Sequence, residues 1–92
     1  MNPRERFERV AELPFNKLEE QILVVVARTR EVHLLNASAA RIWELLETPA
    51  TVEALMEALG EDFDVDPHEG RQEVEAVVAE MIGKGLVRSI PA

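Results

Sequence analysis

The stretch EVHLLNASAARIWELL, residues 31–46, changes structural period within a single position. Its first five residues place apolar side chains at Val32, Leu34 and Leu35, a short strand pattern. Successive strand side chains point to opposite faces, so Leu34 and Leu35 give this strand something to bury on each side. From Ala37 onward the large apolar residues fall at Ile42, Trp43, Leu45 and Leu46, which is helical spacing. Asn36 or Ser38 supplies the side-chain oxygen that accepts from free N–H groups at a helix start. A strand therefore runs into a helix with no glycine at the join.

Upstream, ILVVVA at residues 22–27 is apolar at consecutive positions, as in a strand covered on both faces or one in the middle of a small sheet. Arg28, Thr29 and Arg30 break the two runs, and the hairpin they imply lacks the Asn-Gly or Gly of favoured turns. Residues 10–18 are expected to hold a first short strand. Residues 1–12, charged and weakly periodic, are expected to be mobile or to lead into it.

Downstream lie two more helices. Thr51 caps a helix in which Val52, Leu55, Met56 and Leu59 repeat at helical spacing and which Gly60 ends. Asp66, Pro67 and Glu69 then form a start signal, with an acid at the cap and proline at the first helical position. The apolar stripe that follows is Val74, Val77, Val78, Met81 and Ile82, closed by Gly83 and Gly85, with a short extended tail from Leu86 to Ile90. The expected fold class is α+β: a small antiparallel N-terminal sheet of about three strands, then three helices, in one domain spanning residues 1–92.

Composition limits function. At 92 residues the chain has room for one modest core. Cysteine is absent, which excludes disulfides, thiolate nucleophiles and zinc–thiolate sites. No secretory signal is evident, and the longest apolar run falls far short of the ~20 residues that cross a bilayer. A cytoplasmic, soluble protein is expected, without membrane partners. Residues 1–30 carry six Lys/Arg against five Asp/Glu, net +1, while residues 31–92 carry four against thirteen, net −9. Such a balance reads first as a solvated acidic face that aids solubility and second as a preference for basic partners; it opposes phosphate backbones, so no nucleic-acid partner is expected.

Motifs for catalysis are absent. Asp62, Asp64, Asp66 and Glu73 mimic a calcium loop, but its sixth place requires a sharp glycine turn and here holds Pro67. His33 and His68 are far apart and lack companions for a zinc site. No phosphate-binding glycine loop or nucleophile elbow occurs. The expectation is a protein without catalytic residues, metal or cofactor.

The order VHLLN–x–SA–x–x–IWELL, TVEALMEAL, FDVDP and KGLV resembles the PqqD family of peptide chaperones, and more broadly the leader-binding, winged-helix-like RiPP recognition element. RiPPs are ribosomally made, post-translationally modified peptides. The likeness spans about residues 18–90, departing at Glu47-Thr48-Pro49-Ala50, where an Asp-Gly turn is common. It implies that a leader peptide adds as an antiparallel strand to the third strand, beside the third helix. It also implies delivery to a modifying enzyme, such as a radical S-adenosylmethionine maturase or a leader peptidase. Mapped here, the peptide-binding residues are Glu31, Val32, His33, Leu34 and Leu35 on the strand, with Arg71, Val74, Glu75, Val78, Met81 and Ile82 on the helix, whose four apolar members divide between core and groove. Arg71, Glu75 and Lys84 are placed to select peptide charges. Against this stand a winged-helix DNA regulator, whose recognition helix would be basic, and a structural subunit of a larger enzyme.

Overall fold

The computed structural model describes residues 3–60 and 67–90. In chain order the elements are β1 (Arg6–Arg9), β2 (Phe15–Leu18), β3 (Gln21–Val26), β4 (Glu31–Leu35), α1 (Ala37–Leu45), β5 (Ala50–Thr51), α2 (Val52–Gly60), α3 (Pro67–Gly83) and β6 (Val87–Ile90). The class is α+β, with two antiparallel three-stranded sheets in place of one. One sheet has the order β2-β3-β4 and the other β5-β1-β6.

The second sheet is the main departure from the sequence reading. Residues 6–9, taken there as part of a weakly structured lead-in, pair with β6 from Arg6↔Ile90 to Arg9↔Val87 and with β5 at Arg6↔Thr51 and Phe7↔Ala50. Phe7 carries this strand into the core at 1% exposure. The Glu8–Arg88 pair, at 2.8 Å, reinforces the register on the outside. The strand expected within residues 10–18 shrinks to Phe15–Leu18.

Local chemistry explains the joins. Asn36 is extended at φ −70°, ψ 176°, and its Oδ1 accepts from the Ala39 N–H at 2.9 Å. The strand thus passes straight into α1, and no residue needs a positive φ. Thr51 Oγ1 accepts from the Ala54 N–H at 3.1 Å and caps α2 in the same way. At the far end of α3, Gly85 takes φ +76°. There the Leu86 N–H donates to Met81 O at 2.9 Å and the Gly85 N–H to Ile82 O at 3.1 Å, the paired bonds of a Schellman motif. The Asp66 cap and the calcium-like Asp62, Asp64 and Asp66 lie outside the described residues.

One core joins both sheets to the helices. Its largest buried side chains include Trp43, Phe7, Ile22, Ile42, Leu46, Leu55, Met81 and Leu86. Arg9 bridges the two sheets: its guanidinium carbon stands 5.1 Å from the Trp43 ring centroid and 5.6 Å from that of Phe15. The Phe15 and Trp43 rings meet edge to face at 6.1 Å. α1 packs against β3, β4 and α3, so β4 and α3 flank the same helix.

Candidate peptide-binding edge

Among the described residues, β4 has one strand neighbour. It pairs with β3 from Ile22↔Leu35 through Val24↔His33 to Val26↔Glu31, and β2 occupies the other side of β3. The direction of its free backbone groups follows from one bond in β3. The Val25 N–H donates to Pro14 O at 2.9 Å, toward the β2 side. In an antiparallel ladder alternate residues address alternate neighbours, so Ile22, Val24 and Val26 address β4. Their partners Leu35, His33 and Glu31 are the ones bonded to β3. Val32 and Leu34 therefore turn their N–H and C=O groups to the open edge.

Side chains divide by the same parity. On the inner face, Leu35 is buried in the core at 4% exposure, with His33 and Glu31 following along the strand. The outer face holds Val32 and Leu34, 56% and 54% exposed, paired across the sheet with Val25 and Leu23. Leu18 on β2 extends this apolar strip. Strand edges are usually blunted by charge, proline or a bulge. Here the two residues with free backbone groups are both apolar.

The inner face carries an unsatisfied imidazole nitrogen beside a half-exposed carboxylate. Among the described residues His33 Nε2, which is buried, has no hydrogen-bond partner, and the Glu31 carboxylate lies 3.7 Å from it, beyond hydrogen-bond range. The His33 side chain is largely covered, while that of Glu31 is about half exposed.

α3 divides its expected site residues between core and surface. Val74, Val78 and Met81 are 4%, 0% and 2% exposed and fill the core, which leaves them no surface for a peptide. Periodicity identifies the inward face of a helix, and on α3 that face is already covered by the chain itself. Of the expected apolar groove residues on α3, Ile82 alone is exposed, at 37%. Arg71 is held in an ion pair with Glu53 of α2 and lies 3.9 Å from Glu75, so this charged flank faces α2. Lys84 pairs with Glu80 at 2.9 Å. The sequence reading did not include Leu18, Leu23 and Val25. For Leu23 and Val25 the signal was the unbroken apolar run of β3, in which these two form the outer strip.

Among the described residues, no group of three His, Cys, Asp or Glu is placed to hold a metal ion, and no helix is long and apolar enough to cross a membrane.

Residues 21–87 match the family model described as coenzyme PQQ synthesis protein D. The chain belongs to the PqqD family. No curated protein sequence matches it significantly. Among solved structures, this PqqD-family chain is similar to TbiB1 in complex with the TbiA(beta) leader peptide, with a TM-score of 0.82 and 18% identity over 92% of this chain and 99% of that one. It is also similar to lasso peptide synthetase B1 complexed with the leader peptide, at 0.73 and 19% over 92% and 98%. At these identities the likeness establishes a shared fold.

Proposed function

We propose that the chain binds the leader of a ribosomally made precursor peptide by taking it as an added strand on β4, and presents it to a modifying enzyme in the cytoplasm. The observation that carries this reading is the open edge at Val32 and Leu34, where free backbone groups coincide with exposed apolar side chains. Strand addition uses such an edge directly: main-chain bonds set register and alternate side chains give specificity. Membership of the PqqD family supports the reading, as do two structural relatives solved with leader peptides. The protein acts as a recognition element without chemistry of its own; the modifying enzyme supplies the reaction.

The added bonds alone contribute roughly 0.5–1.5 kcal/mol each, whereas micromolar affinity requires about 8 kcal/mol. Apolar contacts beside Val32, Leu34 and the exposed end of α3 supply the larger share. Fluorescence polarisation with synthetic leaders of candidate precursors tests the function. Leader-dependent binding supports it, and indifference to every leader offered, by a protein shown to be folded, contradicts it.

A further inference from the structure

We propose that Glu31 and His33 form a subsite, on the inner side of the β4 edge, for one lysine or arginine of the added peptide strand. This inference rests on the strand-addition reading and names the peptide chemistry that the edge selects.

Three observations lead to it. The Glu31 carboxylate makes no ion pair with Lys or Arg among the described residues; the His33 ring lies 3.7 Å from it. His33 Nε2 has no hydrogen-bond partner among the described residues. With the ring proton on Nδ1, Nε2 is a second acceptor 3.7 Å from the Glu31 carboxylate, and no donor among the described residues serves it. An ammonium with three N–H groups, or a guanidinium with five, can serve both. Because the carboxylate is half exposed and the ring is covered, the cation enters from the Glu31 side.

Backbone parity places the peptide correctly for this. Glu31 and His33 bond to β3, so they sit at the non-hydrogen-bonded positions of a strand added on the other side. Those pairs have the shorter Cα separation, about 4.5 Å, and the closest side chains. The peptide residues opposite Glu31, His33 and Leu35 all point inward, whichever way the peptide runs. The implied pattern is a basic side chain beside Glu31 and His33, then an apolar one beside Leu35. A net charge of −9 over residues 31–92 favours the same cation.

A positional-scanning library of short fluorescein-labelled peptides, read by polarisation against the full chain, tests the subsite. The expected result is enrichment of Lys and Arg at a single position, two residues or four from an apolar preference. Glu31→Gln should weaken the best basic peptide about fivefold and leave its norleucine analogue unchanged. Glu31→Lys should shift the preference at that position to Asp or Glu. Glu31 is exposed, so both variants are expected to fold, and circular dichroism checks this. Absence of a basic preference, or one that survives Glu31→Gln, overturns the subsite while leaving strand addition standing. Failure of every peptide to bind overturns the function itself.

Discussion

Arg30 and Glu19 adopt φ +59°, a left-handed conformation in which side chains are strained. Each sits in a hairpin turn of the β2-β3-β4 sheet where glycine is the comfortable residue. Arg30→Gly is therefore expected to stabilise the domain by roughly 0.5–1 kcal/mol. The check is a higher urea midpoint at an unchanged slope. At the same scale, Val78→Glu or Met81→Glu buries a carboxylate with no partner, and the cost of several kcal/mol consumes most of the stability of a small domain. Loss of the circular dichroism signal is the expected outcome; a folded variant with selectively weakened peptide binding would return these residues to the groove. Sequence made the Asn36 and Thr51 caps legible because a cap is a local interaction. It did not separate core from groove on α3, because a 3.6-residue stripe gives the inward direction and says nothing about what covers it.

β4 makes the sharpest prediction at the level of elements. Leu34→Pro removes an N–H that faces the open edge, and proline is tolerated at such a position. The fold should survive and peptide binding should fall about tenfold or more. His33→Pro removes an N–H bonded to β3 and should unfold the hairpin. Thermal melts with polarisation titrations distinguish the pair, and equal damage from both would contradict the assigned parity. β3, β4 and the three helices were legible from periodicity. β1 was not, since Arg6–Arg9 contains one apolar residue and its strand character comes from partners at Ala50–Thr51 and Val87–Ile90. Long-range pairing of this kind leaves little local trace. The two-sided apolar run of β3 was legible as a buried strand, yet its outer face is an open strip in this structure.

For the whole molecule, charge separates the functional classes. α3 carries Glu69, Glu73, Glu75 and Glu80 against Arg71, with Lys84 just past its end, and both basic residues have acidic neighbours. Duplex DNA should therefore give no shifted band at low salt; tight, salt-sensitive retardation would favour a DNA regulator. A bound peptide at a hundredfold excess over its Kd should raise stability by about 2.7 kcal/mol, several degrees in Tm. The most direct test of the central claim is residue-resolved hydrogen exchange, with and without the tightest peptide from the library. Strand addition to β4 predicts that the Val32 and Leu34 amides exchange fast in the free protein and slowly in the complex, while His33 and Leu35 are protected in both. Unchanged exchange at Val32 and Leu34, or a uniform slowing across β4, would show that the peptide docks elsewhere.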